Sequence, residues 1–372
     1  MKNSNTIILC VMVIISCGGE EQDAPMETST DIPVDTVEVA LQIGTDFGDS
    51  TNTFGDIMDA EIDDEGNILV LDRILADLKL YDSQGQYVRH IARSGNGPGE
   101  LFMPWDMFRF PDGRLMVLDP GKRGFVVFND SLRFMEELGL WQQNQPFMSC
   151  AVSDSRFASY KASLDMTETE LTITRRVAQY SYGSEEWDML YWSDSLTFSL
   201  DDVRRNRSLL FSNIEEPVTI CSDESGTVYF SLKDETGYSV TGWNPMGEEV
   251  LNISQDLEPM EKSTEEMEAE STYVTNYVAR GGEVQWEFQP EPYRDMVQEL
   301  DIGPDGNLWV RTGKESYPFF DIFDTNSGDL VGHTVFPEEG FTWSTEVCKN
   351  GILAWEEDPS EGYQVLYVLE RE

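Results

Sequence analysis

Positive charge and histidine are the scarce commodities of this chain. Its 372 residues hold 25 Lys and Arg against 70 Asp and Glu, giving a formal net charge of -45. Such an excess excludes non-specific binding to nucleic acid and to anionic membrane surfaces, and leaves neutral or cationic partners. It also repels itself, so stability is expected to depend on salt or on divalent cations that screen the surface. Only two histidines are present, His90 and His333, too few for most zinc and acid-base designs. Both fall near the ends of apparent outer strands, where a surface role is expected. HExxH, G-x-S-x-G and CxxC are absent, which removes the motif-based routes to zinc proteases, serine hydrolases and thiol redox chemistry. The one long apolar run, Thr6 to Ile15, is too short to span a bilayer.

What is present is a repeat. DDEGNILVLD, FPDGRLMVLD, DESGTVYFSL, GPDGNLWVRT and CKNGILAWEE each place a glycine (Gly66, Gly113, Gly226, Gly306, Gly351) between a polar turn and an apolar run. Glycine takes positive φ without steric cost, so each reads as a β-hairpin. Gly66 and Gly113 are 47 residues apart and Gly306 and Gly351 are 45 apart, about one four-stranded propeller blade each. The longer gap after Gly113 accommodates a degenerate turn around Ser155. The gap before Gly306 contains residues 258–294, rich in Glu and Met, which read as an insertion with one or two short helices. Six units result. The last ends one strand short after YQVLYVLE, and an orphan strand, VEVALQIG from Val37, precedes the first turn. An N-terminal strand is therefore expected to complete the last blade and close the ring, removing exposed sheet edges.

The N-terminus reads as an address. Lys2, the short apolar run and Ile14-Ile15-Ser16-Cys17 resemble the lipobox of bacterial lipoproteins, in which the cysteine is lipidated and the chain is held by acyl chains. Residues 1–16 are then a signal peptide, 17–36 a flexible acidic tether and 37–372 the propeller. Gly18 after the cysteine points to the outer membrane or the cell surface, with the periplasm as the alternative. The order IDDEGNILVLDR, LKLYDSQGQYVRHI, SGNGPGELFMPWDM resembles the six-bladed β-propellers related to NHL repeats found among bacterial exported lipoproteins. That resemblance implies an anchored binding or scaffolding module and leaves the reaction, if any, unassigned.

Chemistry has to be sought residue by residue. SGNGPGE lacks the Lys-Ser/Thr pair and the helix of a phosphate cradle, so a crossover loop is expected. Glu61, Asp63, Glu65, Gly66, Ile68 and Asp72 have calcium-loop spacing but wrong end residues and a strand in place of a helix, so a hairpin turn is expected. On the innermost strands, just before the glycine turns, stand Asp59, Glu61, Asp106, Glu299, Asp301 and Glu346. Converging in a central channel, they are candidates to bind a hard cation such as calcium through oxygen ligands. Trp105, Trp141, Trp243, Trp309, Trp343 and Trp355 recur within blades and are expected to pack between sheets rather than stack on sugars. Tyr273, Tyr277, Trp286 and Phe288 of the insertion are candidates to meet a partner at one mouth of the channel. Cys150 and Cys221 fall at similar places in their repeats, as a bridge or as buried thiols; with Cys348 they leave at least one thiol over. The sequence thus describes an all-β, six-bladed propeller, a monomer that binds a protein, peptide or glycan without catalysis. A calcium-dependent hydrolase or lactonase with its metal in the channel is the alternative.

Overall fold

The computed structural model describes residues 32–45, 50–139, 146–205, 217–279, 288–356 and 363–372. Lys2, Cys17 and the rest of the address segment lie outside them, as do Trp141, Trp286 and the side chain of Tyr277.

Among the described residues, twenty-four strands form six four-stranded antiparallel blades. In chain order these are β2–β5 (residues 57–92), β6–β9 (106–139), β10–β13 (146–199), β14–β17 (218–256), β18–β21 (297–335), and a sixth made of β22–β24 (343–371) with β1 (34–43). The second and third strands of blades 1 and 2 are covered on both faces: β3, β4, β7 and β8 are buried at every position, Asp77 and Lys79 of β4 included. This is what a sheet covered on both sides by neighbouring sheets requires. Six apolar clusters result, each shared by two adjacent blades. Leu69, Leu71, Met107 and Val117 join blades 1 and 2, and Phe108, Phe125, Phe157 and Tyr180 join blades 2 and 3. The sequence continues round to Ile43, Leu353 and Leu366 of blade 6 against Ile57 and Val70 of blade 1. Full burial of each such side chain contributes about 1.5–3 kcal/mol.

Closure follows the expected route. Strand β1 pairs antiparallel with β24, Val37 opposite Arg371, Val39 opposite Leu369 and Ile43 opposite Leu366. The strand opens at Val34, three residues before the expected start of the propeller, and Val34–Thr36 pair in parallel with His333–Val335 of β21. Blades 5 and 6 are thereby welded into one eight-stranded sheet.

Gly66 adopts φ 80° in a turn where Asp63 accepts the backbone N–H of Glu65 and Asn67 through its own carboxylate. The residues with calcium-loop spacing are thus a hairpin turn, as expected. Gly351 departs from its siblings. It opens β23 opposite Cys348 across a two-residue turn, and a side chain there would meet Ile62 Cδ1 of blade 1 at 2.6 Å. Its glycine serves a close approach between blades. The degenerate turn at Ser155 is present between β10 and β11, but blade 3 is larger than its siblings, with strands of 11 to 13 residues. Helix α1 (Leu200–Arg205) follows it. The insertion carries α2 (Thr264–Ala279).

Trp309, Trp343 and Trp355 are buried and Trp105 and Trp243 half-buried, in keeping with packing between sheets. Cys150, Cys221 and Cys348 are free thiols. His90 and His333 stand on the outer strands β5 and β21, each beside a buried aspartate. His90 Nε2 lies 3.3 Å from Asp77 and His333 Nδ1 lies 2.9 Å from Asp321. Asp321 also takes the Lys314 ammonium at 2.6 Å and the Tyr238 hydroxyl at 2.8 Å.

Candidate functional site

The inner strands β2, β6, β10, β14, β18 and β22 are sheet edges that face the channel, so their outward N–H groups need acceptors. Side chains of the preceding blade supply them. Asp59 Oδ2 accepts from Met107 N at 2.8 Å, Asp106 Oδ2 from Ser149 N at 3.0 Å, Thr219 Oγ1 from Leu300 N at 3.0 Å, and Asp301 from Val347 N. These residues lie in the stretch that the repeat places just before each hairpin turn, which is why short polar side chains recur there. Such hydrogen bonds join blades 1 to 2, 2 to 3, 4 to 5 and 5 to 6 along the channel. Glu61 departs from this pattern by pairing with Arg109 in a two-pronged contact of 2.6 and 3.2 Å.

The six channel carboxylates predicted from the sequence are not one cluster. Asp59, Glu61 and Asp106 are occupied with neighbouring N–H groups and Arg109. Glu299, Asp301 and Glu346 converge, each offering one carboxylate oxygen within 4.8 Å of the other two. Glu299 also accepts the Thr345 hydroxyl, with Arg311 Nη1 3.6 Å away. Asp301 is 8% exposed, and its Oδ2 is buried with no hydrogen-bond partner. Burial pushes Asp301 and Glu346 well above the usual carboxylate range, and the neighbouring carboxylates push the same way. Across the channel burial carries Asp59 up to about 8, against the pull of the Met107 N–H. Arg109 and Arg311 are the members that sequence reasoning missed. Arg109 is the residue after Phe108 in the second hairpin and Arg311 stands on β19, so neither carried a motif.

A second feature lies at the rim. In an up-and-down blade the loop between strands two and three and the crossover to the next blade emerge on one face. There two equivalent aspartates, Asp72 and Asp119, close β3 and β7 and are fully buried. Asp72 accepts Gly55 N at 2.6 Å and Leu75 N at 2.9 Å. Asp119 accepts Phe102 N at 2.7 Å, Met103 N at 3.1 Å and Lys122 N at 3.1 Å. The backbone is held while the tips stay out: Ile74 is 53% exposed, Leu75 36%, Phe102 54% and Met103 43%. The SGNGPGE segment belongs to this crossover, as expected. Near blades 5 and 6 a cleft of about 360 Å³ is lined by Ser263, Glu266, Tyr317, Glu338 and Phe341.

In the insertion, Phe288 is buried and its carbonyl accepts the Ser271 hydroxyl of α2 at 3.2 Å, which ties this connection to the helix. Tyr273 is half-buried on the same helix.

A family model described as a 6-bladed beta-propeller matches residues 49–193. No curated protein matches the chain. Among solved structures the chain is similar to a putative exported protein from Bacteroides fragilis NCTC 9343, at 11% identity over 90% of this chain and 95% of the other, TM-score 0.45. It is similar to regucalcin, a calcium-binding protein, from Agrobacterium tumefaciens str. C58, at 12% identity over 90% and 96%, TM-score 0.41. It is also similar to a gluconolactonase from Xanthomonas campestris, at 11% identity over 91% and 96%, TM-score 0.41. With six four-stranded sheets in a ring, a terminal strand closing the last, and this family match over the first three, the chain is a six-bladed β-propeller.

Proposed function

We propose that the protein is an exported propeller, anchored by lipid at Cys17 to the outer membrane or cell surface, that binds a protein or peptide on its crossover face. The supporting observation is the set of four large apolar side chains, Ile74, Leu75, Phe102 and Met103, exposed on loops whose backbone two buried aspartates hold. Apolar groups on a rigid, water-exposed rim mark interaction sites, and pre-ordered loops lose little entropy on binding. Among the three partner classes suggested by the sequence, apolar tips favour polypeptide side chains over sugar hydroxyls.

The test selects peptides against the immobilised protein from a random library and measures their affinity for the Ile74→Ser, Phe102→Ser double variant. Peptides are expected to bind at least tenfold more weakly to the variant, with an unchanged melting temperature. Equal affinity, or no enriched peptide, refutes the reading. Turnover of esters or lactones that a chelator abolishes replaces it with the calcium-dependent hydrolase.

A further inference from the structure

The carboxylate trio lies away from the crossover loops and has no task in partner binding. Three observations bear on it. A carboxylate oxygen from each of Glu299, Asp301 and Glu346 lies within 4.8 Å of the other two. The residues come from the inner strands of blades 5 and 6, so they converge only because the ring is closed. Asp301 is more than nine-tenths buried, with one oxygen accepting Val347 N–H and the other, Oδ2, unpartnered. A buried, unmatched acceptor costs about 1–3 kcal/mol, more where it is charged. The cationic side chains that act on the trio, Arg311 at 3.6 Å and Lys233, both act on Glu299.

We propose that Glu299, Asp301 and Glu346 bind one hard divalent cation of the calcium class, which bridges blades 5 and 6 through their carboxylate oxygens. Calcium takes oxygen ligands at about 2.3–2.6 Å, so its shell is roughly 5 Å across; magnesium, at about 2.0–2.1 Å and octahedral, has a shell near 4 Å. Oxygens that all lie within 4.8 Å of one another fit inside the calcium shell. Carboxylates without thiolate or imidazole select a hard cation over zinc or copper. Asp301 Oδ2 gains the partner it lacks, and the ion offsets the mutual repulsion of the trio. Because the ligands come from two blades, occupancy adds a cross-link between the inner strands of the same two blades that β1 joins at their outer edge by backbone pairing.

The test strips the protein with EDTA, dialyses it into 150 mM KCl, and titrates CaCl2 and MgCl2 by calorimetry and thermal melting. One calcium per chain is expected, with a raised melting temperature and at least tenfold weaker magnesium binding. Asp301→Asn keeps an acceptor for Val347 N–H and is expected to lose at least tenfold in calcium affinity, as is Glu346→Gln. The Glu168→Gln, Glu235→Gln double variant removes two exposed charges elsewhere and is expected to bind as the parent. If Asp301→Asn fails to fold, Glu346→Gln decides alone. No saturable calcium binding, calcium binding unchanged in the trio variants, or a melting shift that added KCl reproduces overturns the proposal.

Discussion

Blades 1 and 2 and blades 5 and 6 use buried carboxylates in opposite ways. In the first pair Asp59 is matched to Met107 N, Asp106 to Ser149 N, Glu61 to Arg109, and Asp72 and Asp119 to the N–H groups of two loops. In the second pair Glu299, Asp301 and Glu346 face one another and Asp301 Oδ2 is left over. The repeat places the same kind of residue at the same stage of each inner strand, so position does not make the difference. What differs is what stands beside the accepted N–H: Asp301 accepts Val347 N as Asp59 accepts Met107 N, but carboxylate oxygens of Glu299 and Glu346 also lie within 4.8 Å of it and its Oδ2 has no donor. Burial favours the protonated form of all of them, but only the trio gathers three carboxylates at one point, where a single cation can answer them.

The largest effect expected is that of pH on the matched side. Asp59 has an ordinary value near 3.8 when unfolded and about 8 when folded, chiefly through burial. Between those values the folded chain holds a proton that the unfolded chain has released. Its contribution is therefore complete at the acid end and is lost as pH rises toward 8, with a slope of at most about 1.4 kcal/mol per pH unit, lessened by the partial exposure of the residue. In EDTA, thermal melts at pH 5 are expected to exceed those at pH 8, and Asp59→Asn, which keeps an acceptor for Met107 N–H, is expected to flatten that slope. An unchanged slope would place the proton elsewhere.

Next in size is Asp119→Ala. It strips the acceptor from three N–H groups and is expected to cost about 3 kcal/mol in urea unfolding, since hydrogen bonds to a charged group are each worth roughly 1.5–3 kcal/mol and exposed loop amides recover part of the loss from water. Asp106→Ala, which leaves only the buried Ser149 N–H without a partner, is expected to cost about 2 kcal/mol. A negligible cost in either variant would erase the distinction between the two pairs of blades.

The sequence carried the architecture because hairpin turns are local. Gly66 and Gly113 reveal themselves through the polar turn on one side and the apolar run on the other, and the missing last strand could be counted. Blade 3 was harder to read, since its turn at Ser155 has no glycine and its long strands exceed the repeat length. The site was legible only as composition. That Asp59 meets Met107 N while Asp301 meets Glu346 depends on how adjacent blades stagger, a long-range property that no local pattern encodes. Exposure of Phe102 beside burial of Phe288 was equally hidden: both are aromatics in long connections, and only the packing around each decides which one water reaches.

The smallest effect is the most discriminating, because its sign depends on conditions. Glu346 lies beside Asp301 and Glu299, and both add to the burial that raises its preference for the proton. In EDTA at pH 8, Glu346→Gln removes one of three mutually repelling groups while keeping the shape of the side chain. It is therefore expected to stabilise the propeller by about 1 kcal/mol, the scale of one unit of pKa perturbation. In saturating calcium the same substitution deletes a ligand and is expected to destabilise relative to the calcium-loaded parent, because ligand that binds only the folded state adds stability in proportion to the logarithm of its affinity. Asp106 stands outside the trio, so its substitution deletes no ligand and is expected to show no such reversal. Urea unfolding of Glu346→Gln with and without calcium therefore tests the contrast between the two pairs of blades directly, and a change of the same sign in both would mean that the trio is held by protons alone.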